Sequence, residues 1–295
     1  MKHLVCLGMG FSASTLAQDL VRGGWKISGT ARSAEKAAAL TARGWNGHVF
    51  DAERGGEVLR IEPAGTFSDV THLLISIPPG ENGDGILRHH ADDIARFEKL
   101  EWVGYLSTIG VYGNHHGDWV DEMTPPVPLS RRSKLRLEAE QAWEDFARGK
   151  SWRLQIFRLA GIYGPGRSAI DQIEAGKARR IIKKDQVFNR IHVGDIATIV
   201  KAGMSGKGSH VVYNVADDEP GPPQDVVAYA AELLGVSPPP EISFEDAELS
   251  PMARSFYEER KRVRNDRVKD DLGIRLSFPN YRVGLEAVLA ARQSQ

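Results

Sequence analysis

The sequence predicts an α/β protein: a doubly wound parallel sheet with a smaller C-terminal substrate lobe. Three observations predict it. Short apolar runs alternate with helix-period segments through the first 165 residues. Gly8-Met9-Gly10-Phe11-Ser12-Ala13 stands between the first run and the first helix. Val70 to Ile77 carries no charge apart from its histidine and Asp69 before it, as a strand covered on both faces should.

The elements come in order. Leu4 to Leu7 is a strand, and Ser12 to Arg22 is a helix with Leu16 and Leu20 at i, i+4, stopped by Gly23-Gly24. Trp25 to Thr30 is a strand, Ala34 to Ala42 an Ala/Glu/Lys-rich helix, and Trp45 to Asp51 a weaker strand. After Val70 to Ile77 comes a helix over Ile86 to Leu100, then a strand from Trp102 to Ser107. Ser133 to Arg148 is a long helix with Leu135, Ala139, Trp143 and Phe146 on one stripe, and Trp152 to Leu159 is a sixth strand. Beyond Tyr163 the regularity breaks. Strands at Gln186 to Val193 and His210 to Val215, and helices at Gln224 to Leu234 and Asn280 to Ala291, are separated by Pro220 to Pro223 and Pro238 to Pro240. The expected division is residues 1–165, with a returning strand near 210–216, and a smaller lobe of 166–209 and 217–295.

Composition narrows the function classes. The 295 residues are 41% hydrophobic and 26% charged, so a packed core is expected. Lys+Arg of 38 against Asp+Glu of 39 gives a net charge of −1, unlike a chain that neutralises nucleic-acid phosphates. The one cysteine, Cys6, fits a reducing, cytoplasmic compartment. No apolar run approaches the roughly 18 residues of a membrane span, and Leu4 to Leu7 is shorter than the about 7–15 residues of a signal-peptide core. Paired histidines at His89-His90 and His115-His116 lack the three or four converging ligands of a metal site, so no metal is expected. The basic run Arg260, Lys261, Arg262 and Arg264, after Glu258 and Glu259, reads as a solvated helix face with i, i+4 pairs.

The glycine-rich turn predicts a Rossmann-type dinucleotide site. Gly8 permits the tight turn, Gly10 lets backbone approach a pyrophosphate, and Ala13 allows close helix–strand contact. Phe11 and Ser12 open the helix, whose N-terminus attracts the anion. Where an NAD site carries an acid after the second strand, this chain reads Thr30-Ala31-Arg32-Ser33. A guanidinium pairs with a 2′-phosphate, so NADP(H) is expected over NAD(H). Asp51 either bonds the adenine amino group or caps the next helix. Pro78-Pro79-Gly80 either shapes the cofactor floor or is a plain turn.

Further motifs are Tyr105-Leu106-Ser107-Thr108-Ile109-Gly110-Val111-Tyr112-Gly113, Ser130-Arg131-Arg132-Ser133-Lys134, Phe157 to Arg167, Asn189 to Ala197 and Tyr213-Asn214-Val215. Their order resembles the extended short-chain dehydrogenase/reductases, the family of NAD-dependent epimerases and dehydratases, over nearly the whole chain. The resemblance implies that Thr108, with Ser107 beside it, hydrogen-bonds a reacting carbonyl, and that Lys134 holds the nicotinamide ribose. The family's tyrosine falls on Ser130, a shorter and far less acidic hydroxyl, and loss of such an acid typically removes about 10²–10⁴ in rate. Ile109-Gly110 replaces the dehydratases' Asp-Glu pair, and Gly161 replaces an asparagine that contacts the diphosphate of nucleotide sugars.

Tyr112, Tyr163, His115 and His116 are the other proton-carrying candidates. The expected activity is an NADP(H)-dependent oxidoreductase or epimerase acting on a small carbonyl or hydroxyl compound. The alternative is a catalytically inactive NADP(H)-binding sensor or regulatory protein. Dimerisation through the helices at Ile86 to Leu100 and Ser133 to Arg148 is implied by the resemblance.

Overall fold

The computed structural model describes residues 1–52 and 67–293. The chain forms two compact units: residues 1–108, 131–158 and 197–213, and residues 109–130, 159–196 and 214–295. The chain leaves the first unit after residue 108, returns at 131, leaves at 158 and returns again at 197.

In chain order the elements are β1 (His3–Leu7), α1 (Phe11–Arg22), β2 (Lys26–Ala31), α2 (Ala34–Ala42), β3 (Asn46–Val49), β4 (His72–Ile75), α3 (Gly85–Ala95) and β5 (Trp102–Thr108). Next come β6 (Trp119–Val120), α4 (Arg131–Ala147), β7 (Arg153–Leu159), β8 (Gly161–Tyr163), α5 (Ala169–Glu174), β9 (Arg180–Ile182), β10 (Arg190–His192), α6 (Val193–Met204) and β11 (Val212–Val215). The remainder is α7 (Pro223–Leu233), β12 (Glu241–Ser243), α8 (Pro251–Glu258), β13 (Arg262–Val263), α9 (Asp266–Asp270) and α10 (Tyr281–Gln293). Among the described residues no helix is long and apolar enough to cross a membrane.

Seven strands make one sheet in the order β11-β7-β5-β4-β1-β2-β3. The pairings of β1 with β2 and β4, β2 with β3, and β4 with β5 are parallel. Strand order reverses at β1, so the carboxyl ends of β1 and β4 flank a topological switch point. The core against this sheet includes Leu73, Ile75, Val103, Tyr105, Trp143 and Ile156.

At the amino ends of the strands buried histidines are satisfied locally. His3 Nδ1 donates to Asp69 Oδ1 and its Nε2 accepts from Ser28 Oγ, each at 2.8 Å. The His72 ring lies between Thr71 Oγ1 at 2.8 Å and the Met204 carbonyl at 3.1 Å, joining β4 to the end of α6.

α4 buries a charge pair instead of a continuous apolar stripe. Glu140 on α4 and Arg158 on β7 are 1% and 5% exposed. Arg158 Nη2 donates to Glu140 Oε2 at 2.7 Å, and Nε reaches Oε1 and Oε2 at 3.3 and 3.2 Å.

The second unit is built from short two-stranded pairs and helices. β8 pairs with β10, β9 with β12 and β6 with β13, all parallel. α5, α7 and α10 share a core of Ile170, Ala230, Tyr281, Leu285 and Val288.

Two expected elements are corrected here. The strand expected at Gln186 to Val193 is only Arg190–His192, and α6 begins at Val193. Asp195, in the first turn of α6, accepts hydrogen bonds from the Ser277 and Phe278 amides at 2.9 Å each. The segment Glu258 to Arg264 is not a helix face. α8 stops at Glu258 and β13 takes Arg262 and Val263 onto β6. Side chains supply the competing bonds: Asn189 Nδ2 donates to the Lys261 carbonyl and its Oδ1 accepts from Val263 N. Lys261 is itself buried, with Nζ on the Gly113 carbonyl at 2.7 Å and on Glu259 at 2.5 Å.

Removing one partner of a buried ion pair strands the other charge. Glu140→Ala is therefore expected to lower stability by about 3–5 kcal/mol in denaturant unfolding, while Glu140→Met combined with Arg158→Met recovers most of the loss. Burial holds the imidazoles of His3, His48 and His72 below their ordinary value and pushes His192 down to about 4. These rings are neutral when folded and take up protons on unfolding, so stability falls as pH drops below about 6.5. His192 alone accounts for roughly 3 kcal/mol between pH 6.5 and 4. Urea midpoints measured from pH 7 to pH 5 should fall, with a shallower slope in His192→Gln.

Candidate cofactor and active site

The turn after β1 admits only glycine at its first position. Gly8 has φ +93°, and a Cβ there would lie 2.8 Å from Ile77 Cγ1 and 3.1 Å from Ile77 N. Gly8 N donates to Thr30 Oγ1 at 2.8 Å, and Met9 N donates to the Thr30 carbonyl at 2.9 Å. The turn is thus tied to the end of β2. Gly10 is the N-cap of α1 and gives no side-chain cap. A Cβ on Gly10 would meet nothing within 4 Å, so open space lies against the start of a twelve-residue helix. Ala13 is fully buried, Ser12 nearly so, and Phe11 half-buried. Backbone exposed beside a helix N-terminus, with room above it, fits a dinucleotide's pyrophosphate.

Arg32 follows β2, is exposed, and makes no hydrogen bond or ion pair among the described residues. Ser33 caps α2 by accepting from Lys36 N at 3.4 Å. Asp51 follows β3 and is half-buried, and residues 53–66 after it lie outside the described structure. Pro78 is exposed beyond β4, and Gly80 and Gly83 exchange two 3.1 Å backbone bonds in the turn after it.

Ser107 and Thr108 end β5. Ser107 is 5% exposed and donates its hydroxyl hydrogen to Glu140 Oε1. A serine has a single hydroxyl hydrogen, so Ser107 is left as an acceptor. Thr108 is half-buried. Lys134 lies on α4, exposed, with no hydrogen bond or ion pair among the described residues. Ser130 immediately precedes α4 and is half-buried; it belongs to the second unit, whereas Ser107, Thr108 and Lys134 belong to the first.

Sequence alone did not single out three residues here: Glu140, Arg158 and Arg136. Arg136 is half-buried on α4, and its Nη1 donates to the Leu106 carbonyl at 2.8 Å and to Tyr105 Oη at 3.3 Å. The available signal was helical phase: Arg136, Glu140 and Trp143 are spaced i, i+4, i+7.

The other proton carriers are committed within the second unit. Tyr112 is fully buried and donates to Asn214 Oδ1 at 2.7 Å. Tyr163 donates to the Asn280 carbonyl at 3.2 Å and packs so closely on Gly284 that a Cβ there would lie 2.0 Å from its oxygen. Burial pushes its phenol well above the ordinary range. His115 Nε2 donates to the Tyr112 carbonyl at 3.0 Å, and exposed His116 adopts φ +54°.

No family model matches the chain. It is similar to Protein YeeZ of Escherichia coli strain K12, with 28% identity over 247 residues, 81% of this chain and 86% of that protein. A solved structure of a functionally unknown conserved protein from Silicibacter pomeroyi DSS is 48% identical, covers 99% of both chains and superposes with a TM-score of 0.89. A "putative NAD-dependent epimerase/dehydratase" from Methylobacillus flagellatus is 26% identical over 99% of this chain and 98% of its own, with a TM-score of 0.70. The dTDP-glucose 4,6-dehydratase of Bacillus anthracis, solved with NAD, shares the fold at TM-score 0.77 with 16% identity over 100% of this chain and 97% of its own. The strand order, the glycine turn at its switch point and these full-length likenesses agree with one another. The chain has the fold of NAD-dependent epimerase/dehydratase structures and is similar to one such protein over nearly its whole length.

Proposed function

We propose that the protein is an NADP(H)-dependent oxidoreductase or epimerase acting on a small carbonyl or hydroxyl compound. The observation that carries this reading is the positive-φ glycine turn with open space against the start of α1, at the sheet's switch point. Gly8, Gly10, Phe11, Ser12 and Ala13 line the pyrophosphate position. Arg32, unpaired at the end of β2, takes the 2′-phosphate, beside the Ser33 cap. Asp51 and Pro78 border the same rim of strand ends.

When bound, the nicotinamide exchanges a hydride with a substrate carbon. Thr108 donates a hydrogen bond to the substrate oxygen, lowering the cost of charge that develops there. Ser107 holds the strand end against α4 through Glu140. With serine at position 130 in place of a phenol, proton transfer passes through water or the substrate, and the chemistry is slow.

Parallel calorimetric titrations test the cofactor. NADPH is expected to bind at least about tenfold more tightly than NADH, and Arg32→Ala to abolish that preference, since a charge-assisted pair contributes about 1.5–3 kcal/mol. If neither dinucleotide binds, the reading is wrong. NADPH absorbance followed against a panel of aldehydes, ketones and hydroxy acids tests the reaction. Turnover should fall on the order of 10² in Thr108→Ala. Tight NADPH binding with no turnover across the panel supports the inactive sensor instead.

A further inference from the structure

The turn after β1 puts permissive residues where a pyrophosphate needs fixed backbone. Gly8 and Gly10 have no Cβ to restrict them, and glycine loses more conformational freedom on ordering than any other residue. The restraint on Gly8 comes from the neighbouring strand. The ladder between β1 and β2 ends at Cys6 and Gly29, so the amides of Gly8 and Met9 lie beyond it. Thr30 supplies both with acceptors. Its Oγ1 accepts from Gly8 N at 2.8 Å, and its carbonyl accepts from Met9 N at 2.9 Å. Gly29 forms the floor under Met9, since a Cβ there would lie 2.4 Å from Met9 Cε.

The other amides of the turn divide into two groups. Gly10 N donates to the Gly8 carbonyl at 2.9 Å, and Ser14 N to the Gly10 carbonyl at 2.8 Å. The amides of Ser12 and Ala13 have no hydrogen-bond partner among the described residues. They belong to the first turn of α1, where amides lack intrahelical partners and favour an anion. Their direction depends on how Gly8, at φ +93°, turns the chain out of β1. The one side chain that holds the Gly8 amide is Thr30, and it is 1% exposed.

We infer that Thr30 is a positioning residue for the dinucleotide: its hydroxyl fixes Gly8 so that the start of α1 meets the pyrophosphate. This rests on the dinucleotide reading above. Without that acceptor the Gly8 amide is left unpaired and the turn samples other conformations. Apparent affinity then falls with the fraction of molecules whose turn is competent to bind. NADPH and NADH share the pyrophosphate and differ at the 2′-phosphate, so both lose affinity by the same factor. A side-chain replacement leaves the Thr30 carbonyl on Met9 N, and the end of β2 that carries Arg32 stays in place.

Thr30→Val replaces the hydroxyl by a methyl of similar shape, and Thr30→Ser keeps a hydroxyl. Both variants and wild type are titrated calorimetrically with NADPH and NADH, the weaker ligand by displacement of the stronger, and urea midpoints are taken on the same samples. Thr30→Val is expected to lose about three- to tenfold in affinity for each cofactor, with their ratio unchanged, and Thr30→Ser to lie within about twofold of wild type. A lowered urea midpoint alone does not do this, because a protein that is still folded at the titration temperature keeps its affinity. Should the valine variant fail to fold, Thr30→Ala removes the same acceptor without adding a methyl to the site. Unchanged affinity without the hydroxyl, a serine variant as weak as the valine one, or a changed ratio of NADPH to NADH affinity overturns the assignment. Wild type that binds neither cofactor overturns the dinucleotide reading, and the assignment with it.

Discussion

Taking a carboxylate and a guanidinium out of water costs several kcal/mol per ion, and Glu140 and Arg158 are both at least nineteen-twentieths covered. Only close geometry and additional hydrogen bonds offset that cost, and here they come from three elements at once. Arg158 arrives on β7, Glu140 on α4, and the Ser107 hydroxyl on β5. The pair therefore sets how α4 lies on the sheet. It also sorts two adjacent hydroxyls. Successive side chains of a strand point to opposite faces, so a Ser107 held on the α4 face directs Thr108 to the other. The direction of the Thr108 side chain is thus set through its neighbour by a buried charge pair.

The two ends of the sheet use polar residues differently. At the amino ends, Ser28, His3 and Asp69 stand in hydrogen-bond sequence at 2.8 Å per step, the spacing expected of a hydrolytic triad. Ser28 and His3 are fully buried, so no substrate reaches the hydroxyl, and the constellation serves to satisfy polar groups between β1, β2 and the residues before β4. At the carboxyl ends the balance is reversed. Arg32 and Lys134 are exposed and unpaired among the described residues, and space is left open at Gly10. Residue type alone does not distinguish the two ends; exposure does.

The alternation of β1 to β5 and β7 with their helices was legible because each element satisfies its own period, and α2 matches its expected bounds of Ala34 and Ala42. The dinucleotide turn was legible because glycine is the cheap solution to a positive φ at residue 8. The second unit was less so. The strand expected to reach Val193 stops at His192, where α6 begins, and the first turn of α6 is tied by Asp195 to amides more than eighty residues away. Glu258 to Arg264 has helical charge spacing, but Asn189 and β6 supply its backbone bonds. Tertiary partners decided both, and no local pattern announces them.

The same limit applies within α4. A motif is matched by spacing along the chain, and Lys134 satisfies the spacing. A helix delivers side chains by angle, and by angle the residues that reach β5 are Arg136 and Glu140. Ser107 and Thr108 end β5, and Arg136 is docked on the carbonyl of Leu106 just before them. On the proposed reading, alignment of hydride donor and acceptor carries more of the catalysis than proton transfer does, because Ser130 stands where the resemblance places a phenol.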